Sequence, residues 1–166
     1  HAASKLYGME RSWDETMGHS AVPHDWLLNN FAWRPYPTIS DPAVDPERWL
    51  FPGALALCFA VLAFASREWK PLTLAWSWVL LGFLGSLGLR TPFYRFFFDY
   101  VPGFRAIRVP ARWALISHVG LALLIAIAVA AIARHVKWAG VVIALAFLAE
   151  LHQSIRWYMA PTNTRP

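Results

Sequence analysis

Charged residues are scarce in this chain of 166 residues. They make up 15% of the sequence, against roughly 25% in ordinary soluble domains, whereas hydrophobic residues reach 57%. The mean hydropathy is +0.38, and the chain contains ten tryptophans. This balance excludes a conventional water-soluble domain and favours a chain embedded in lipid.

Cysteine is nearly absent as well. The single cysteine, Cys58, lies inside an apolar run, which excludes an intrachain disulfide and a cysteine zinc site. The sequence also lacks a glycine-rich phosphate loop, the nucleophile elbow of hydrolases and a His-Glu-x-x-His motif. Because the spacing of His19, His24 and Asp25 is not diagnostic, the sequence predicts no metal site.

The net charge of +5 would be compatible with nucleic-acid binding in a soluble protein. Here the basic residues lie between apolar runs, and no separate basic domain is present. Nucleic acid is therefore excluded as a partner. Membrane lipid or a phosphorylated ligand is the expected partner instead.

Four apolar runs follow a polar segment of residues 1–48, and they predict an all-α integral membrane protein. A spanning helix needs about 20 apolar residues. The first three runs have that length, and the fourth has it only if its polar residues lie near the membrane surface. The predicted spans, within a transmembrane region of residues 49–160, are 50–66, 71–89, 113–133 and 138–157.

Tight polar links at residues 67–70 and 134–137 predict two helical hairpins, with both links on one face of the membrane. Three glycines in the second run are spaced for close helix packing or are ordinary membrane glycines: Gly82, Gly85 and Gly88. The first residue is His1 and no signal-peptide pattern follows it, so we interpret the chain as part of a longer polytopic protein.

Residues 91–112 connect the second and third runs. Thr91 and Pro92 are typical of a helix N-cap and first position, and the aromatic residues that follow predict an amphipathic helix in the membrane interface. Arg95 and Asp99, four residues apart, are expected to pair on one helix face.

The end of this connection, VPGFRAIRVPARW, concentrates three arginines. Pro110 suits the first turn of the third helix, which places Arg112 where a cation opposes the helix dipole. A bound anion would reverse that cost, and the guanidinium groups could share one phosphate with free backbone N–H groups. The alternative is contact with lipid head groups. The predicted phosphate- or lipid-binding residues are Arg105, Arg108, Arg112, Arg95 and Tyr94.

Three further polar residues belong to the predicted membrane region. Glu150 is either a functional carboxylate or a helix-end acid that pairs with Arg156 or a neighbouring histidine. His118 is expected to hydrogen-bond Glu150 or another partner, and haem or chlorophyll ligation is the alternative.

The order of LFPGALAL, LLGFLGSLG, PFYRFFFDYVPGFRAIRVPARW and an Ala/Leu-rich helix resembles the C-terminal half of bacterial polytopic membrane proteins of the YfhO type and related GT-C-like glycosyltransferases. HSAVPHDWLL, starting at His19, resembles the extracytoplasmic stretch before that block. The similarity covers most of residues 19–160, and P-G-F-R-x-x-R-x-P-x-R is its most specific element.

The resemblance implies a multi-pass protein of the bacterial cytoplasmic membrane that transfers sugar from a polyprenyl-phosphate-linked donor. Its motif arginines, Arg105, Arg108 and Arg112, would hold the lipid-linked phosphate, and the catalytic acid would lie outside this chain. The resemblance places the arginine-rich face outside the cell, whereas the positive-inside rule would place it in the cytoplasm. The alternative function is a non-catalytic subunit of a larger membrane complex, with a pigment or haem at His118.

Overall fold

The computed structural model describes residues 11–29, 43–107 and 109–151. Helices account for 76% of these residues, and this part of the chain has no β-strand. We number its α-helices α1 (Trp13–Gly18), α2 (Ala54–Leu62), α3 (Trp69–Ser86), α4 (Pro92–Tyr100), α5 (Ala114–Ala133) and α6 (Ala139–Leu151). Short 3-10 segments join them at Pro23–Leu27, Pro46–Arg48, Ala63–Ser66, Gly88–Arg90, Phe104–Ala106 and Pro110–Trp113.

Helix α5 lies at the centre of the fold, with α2, α3 and α6 packed against it. Two glycines allow α3 and α5 to approach closely. A Cβ on Gly82 would lie 2.2 Å from the backbone nitrogen of Ser117, and a Cβ on Gly120 would lie 2.7 Å from the carbonyl oxygen of Ala75. Of the two interpretations of Gly82, the structure therefore favours close helix packing.

The predicted helix limits are right for α5 and shifted for the first two runs. The first run becomes helical at Ala54 rather than at residue 50, because Pro52 and Gly53 precede it and Gly53 has φ +98°. Arg67, with φ 56°, then ends the 3-10 continuation of α2. Helix α3 covers 69–86 rather than 71–89, since the chain tightens into a 3-10 turn at Gly88–Arg90.

Within the described residues, one helix is long and apolar enough to cross a membrane. It comprises Pro110–Ala133, 24 residues, and 28% of its most apolar window is buried. The apolar helices Ala54–Ser66 and Ala139–Glu150 are shorter. The all-helical class is confirmed for the described residues, and the four predicted spans stay a prediction, of which one helix meets the requirements of length and apolarity. The end of the fourth predicted span, 152–157, lies outside the described residues.

The polar N-terminal segment packs against the start of α5 and the end of α3. Backbone hydrogen bonds run from Ala21 N–H to the Ser86 carbonyl (2.9 Å) and from Ala111 N–H to the His19 carbonyl (3.3 Å). The segment is held internally by Asp25, a buried carboxylate whose Oδ2 accepts hydrogen bonds from Val22 N–H and from the Arg48 guanidinium. The N-terminal segment and the connection between α3 and α5, which we call the arginine connection, thus pack together at one end of the helices.

Candidate phosphate and lipid site

The connection between α3 and α5 folds as a capped helix followed by a turn. The Thr91 hydroxyl accepts a hydrogen bond from Tyr94 N–H, and Pro92 occupies the first turn of α4, as predicted. Gly103 has φ 82°, which glycine adopts without steric cost, and this residue begins the turn that leads to Arg105. The predicted start of α4 is therefore confirmed.

Aromatic side chains fill the space between α4 and the start of α5. Tyr94 is fully buried there, with ring centroids 5.0 Å from Phe104 and 6.1 Å from Trp113. Its hydroxyl has no hydrogen-bond partner among the described residues, and burial raises the pKa of Tyr94 to about 12. Tyr94 thus holds the connection together from inside, and its hydroxyl is not exposed at the surface.

Arg95 and Arg105 both bind main-chain carbonyls through Nε. Arg95 donates to the Leu89 carbonyl at 2.6 Å, and its guanidinium lies over the Trp13 ring at 5.6 Å. Arg105 donates to the Phe98 carbonyl at 3.1 Å. Asp99, which we expected beside Arg95, lies 3.8 Å from Arg105 instead. These contacts fix the aliphatic parts of both arginine side chains, and the Arg105 side chain remains 47% exposed.

Arg112 lies at the start of α5, and its side chain is 65% exposed. Its Nη2 donates to Glu47 Oε1 at 2.7 Å, an ion pair across 65 residues of sequence. The Arg112 N–H itself donates to the Val109 carbonyl, and Ala111 N–H donates to His19. Since these backbone donors already have protein partners, an anion here would be held mainly by side chains.

The described structure places Arg105 and Arg112 in the same connection. Arg108, the middle arginine of the motif, and Arg156 lie outside the described residues.

Glu150 contacts the first turn of α2, and His118 contacts the chain four residues before this helix. Glu150 is buried, and its Oε1 accepts a hydrogen bond from Leu55 N–H at 3.0 Å. His118 Nε2 lies 3.4 Å from the Leu50 carbonyl oxygen, and its ring contacts the Trp26 ring. His118 and Glu150 thus contact the backbone at Leu50 and Leu55, five residues apart.

The structure brings together one group of side chains that the sequence does not predict. His19, Asp45 and Glu47 offer ligand atoms that all lie within 4.8 Å of one another. Asp45 and Glu47 come from the 3-10 turn before α2, 26 residues or more after His19, so short-range spacing gives no sign of them. His24 and Asp25, which we considered with His19, are not members of this group.

No protein-family model, curated protein or solved structure matches this chain.

Proposed function

We propose that this chain is the membrane-embedded part of a bacterial, GT-C-like protein that binds a polyprenyl-phosphate-linked sugar or a related lipid phosphate. The proposed binding groups are Arg105, Arg108 and Arg112, in the stretch of sequence before α5, and a catalytic acid for sugar transfer would come from outside this chain. The observation that carries the proposal is the exposed Arg112 guanidinium at the end of the longest apolar helix.

The exposed surface of the helices supports a membrane location. Large apolar side chains face outward on α2, α3, α5 and α6, among them Val61, Leu80, Leu115, Val142 and Leu148. An apolar surface of this extent is unfavourable in water and is expected against lipid. At a rise of 1.5 Å per residue, Pro110–Ala133 is about 36 Å long, enough for a hydrocarbon core of about 30 Å.

If the chain crosses the membrane four times, residues that flank the shorter helices must contribute to the length of those spans. Helix α3 is about 27 Å long at the same rise, and Ala54–Ser66 is about 20 Å long. Tryptophans lie near the ends of these helices, with Trp69 and Trp138 both strongly exposed. Both lie in or directly after the tight links and so lie at the same edge of the apolar layer, where indole side chains are typical of residues at the lipid head groups. We therefore propose four spans, of which α5 alone has full length.

The ion pair at Arg112 leaves this arginine available to a ligand. Glu47 is 40% exposed, and an exposed ion pair contributes about 0.2–1 kcal/mol. A phosphate accepts charge-assisted hydrogen bonds from both arms of a guanidinium, which are stronger than the neutral kind. A lipid phosphate can therefore replace Glu47 as the partner of Arg112 at small cost. Arg105 lies in the same connection, and its side chain is about half exposed.

The chain provides a matched control for this proposal. Arg134, at the opposite end of α5, is also an exposed arginine paired with an exposed carboxylate, that of Glu68. Its exposure of 61% is close to that of Arg112. The two arginines differ mainly in their end of the helix and in the connection that surrounds Arg112.

The test measures binding of a polyprenyl phosphate to the protein in nanodiscs of zwitterionic lipid, by native mass spectrometry. We expect Arg112→Ala to raise the Kd by about tenfold or more, the effect of losing one charge-assisted pair, and Arg134→Ala to raise it less than twofold. Equal effects of the two substitutions would exclude the site. Arg108→Ala is expected to behave like Arg112→Ala.

A further inference from the structure

We infer that His19, Asp45 and Glu47 form a divalent-cation site beside Arg112. Binding of the cation is independent of the proposed function, whereas its role towards phosphate rests on that function. The inferred role is to bridge the protein to a second phosphate oxygen of the lipid-linked ligand.

The geometry of the three side chains leaves room for a cation between them. His19 Nδ1 lies 3.8 Å from Asp45 Oδ2, and the three ligand atoms lie within 4.8 Å of one another. Three atoms so arranged enclose a point no more than about 2.8 Å from each, against metal–ligand distances of about 2.0–2.6 Å. Side-chain movements of less than about 1 Å therefore complete the coordination.

The local backbone holds the two carboxylates on the same turn. Asp45 Oδ1 accepts a hydrogen bond from Glu47 N–H at 2.9 Å, and Arg48 N–H donates to the Asp45 carbonyl at 2.8 Å. These bonds leave Asp45 Oδ2 directed at His19. His19 is fixed in turn, because its carbonyl accepts from Ala111 and its N–H donates to the Glu15 carbonyl.

The remaining contact orients Glu47. Its Oε1 accepts from Arg112, and a carboxylate that binds a metal is commonly held by such an outer hydrogen bond. One imidazole nitrogen and two carboxylates suit Mn²⁺ or Zn²⁺ better than Mg²⁺ or Ca²⁺, which prefer oxygen ligands alone. Three protein ligands also leave positions for water or for a phosphate oxygen.

The charge of the cluster changes sign when a cation binds. With His19 neutral, two carboxylates and the Arg112 guanidinium carry one net negative charge, which attracts a divalent cation. Once bound, the cation leaves one net positive charge beside an exposed arginine. The same cluster then attracts phosphate, so the cation and Arg112 can hold two oxygens of one phosphate or diphosphate.

The first experiment uses the full chain in nanodiscs of zwitterionic lipid without any phosphate ligand, and titrates Mn²⁺ by electron paramagnetic resonance. We expect one saturable site, weakened about tenfold or more in His19→Ala and in Asp45→Asn. The matched control is His24→Ala, an exposed histidine on the neighbouring 3-10 segment, which should bind as wild type. Circular dichroism checks that each variant keeps its helix content.

Several outcomes would overturn the cation site. These are no saturable Mn²⁺ binding by the folded wild type, or unchanged binding in both His19→Ala and Asp45→Asn. The bridging role is tested separately by polyprenyl-phosphate affinity with and without Mn²⁺. An affinity that Mn²⁺ raises several-fold in wild type but not in His19→Ala supports the bridge, and a Mn²⁺-independent affinity overturns the bridge alone. If wild type binds Mn²⁺ but no lipid phosphate, the proposed function fails and the cation site stands.

Discussion

The carboxylate of Glu150, near the end of α6, accepts a hydrogen bond from Leu55 N–H at the beginning of α2. The first N–H groups of a helix have no partner inside the helix, and they carry partial positive charge. Glu150 therefore caps α2 from a helix 95 positions further along the chain. A Cβ on Gly53 would lie 3.1 Å from Glu150 Oε2, so the glycine before α2 leaves the space that the carboxylate occupies.

Removing this cap should lower stability. We expect Glu150→Ala to cost about 1–3 kcal/mol, since a helix cap is lost and the partly buried Leu55 N–H loses this acceptor, and Glu150→Gln to cost less. Glu68→Ala removes a carboxylate from an exposed ion pair and should cost less than about 1 kcal/mol. Thermal unfolding in detergent ranks the stabilities of these three variants. A Glu150→Ala variant as stable as Glu68→Ala would contradict the capping role.

The contact between α3 and α5 predicts a second stability difference. Gly82→Ala places a methyl group 2.2 Å from the Ser117 nitrogen, so the helices must separate, at a cost of about 1–3 kcal/mol. Gly140→Ala is the control, because its Cβ would meet only Val129, at 4.0 Å. That substitution should be neutral or stabilising by up to about 1 kcal/mol through helix propensity. Equal Tm values for the two variants would be inconsistent with the close approach.

The buried hydroxyl of Tyr94 gives a pH-dependent prediction. Its pKa is about 12 in the folded chain, against 10.0 as the ordinary value. The unfolded state therefore ionises first, and the stability from this group is complete below pH 10 and is lost as the pH rises towards 12. Tyr94→Phe should abolish this part of the alkaline loss, at most about 2–3 kcal/mol.

At neutral pH the same substitution should leave the Tm unchanged or higher, because it removes a buried hydroxyl without a partner. Tyr100→Phe is the control, since Tyr100 is 73% exposed. This substitution should change neither the Tm at neutral pH nor the loss of stability at alkaline pH. Tm values at pH 8 and pH 11 for both variants provide the measurement. A large loss of stability in Tyr94→Phe at pH 8 would show that the hydroxyl has a partner.

The proposed function requires the arginine connection to face outward from the cell. In a Cys58→Ser background, we expect Ala106→Cys, an exposed position in that connection, to react with a membrane-impermeant thiol reagent in intact cells. His135→Cys, in the exposed link after α5, should react only after permeabilisation. The reverse pattern would agree with the positive-inside rule and would exclude an external sugar donor.

The sequence predicted those helix starts at which one or two residues determine the backbone conformation. Thr91 and Pro92 start α4, and Pro110 lies in the first turn at the start of α5, as expected. The beginning of α2 was misplaced by four residues because hydropathy continues through Pro52 and Gly53, whereas helical geometry does not.

Contacts between distant residues could not be predicted in the same way. Arg95 was expected to pair with Asp99 at helical spacing, but a main-chain carbonyl and the ring of Trp13 from α1 provide its contacts. The partner of Arg112 comes from a polar turn 65 residues earlier. No periodicity within the sequence indicates that this turn folds back onto the start of α5.

Two backbone hydrogen bonds join the N-terminal segment to the arginine connection, from Arg11 N–H to the Arg105 carbonyl and from Ala111 N–H to the His19 carbonyl. Main-chain contacts of this kind cannot be exchanged by rotating a side chain, so the two segments are mechanically joined. A ligand that draws His19 towards Asp45 therefore pulls on the first turn of α5. The N-terminal segment thereby fixes one end of the apolar helix Pro110–Ala133. A ligand bound at the N-terminal segment can therefore restrain the position of this helix.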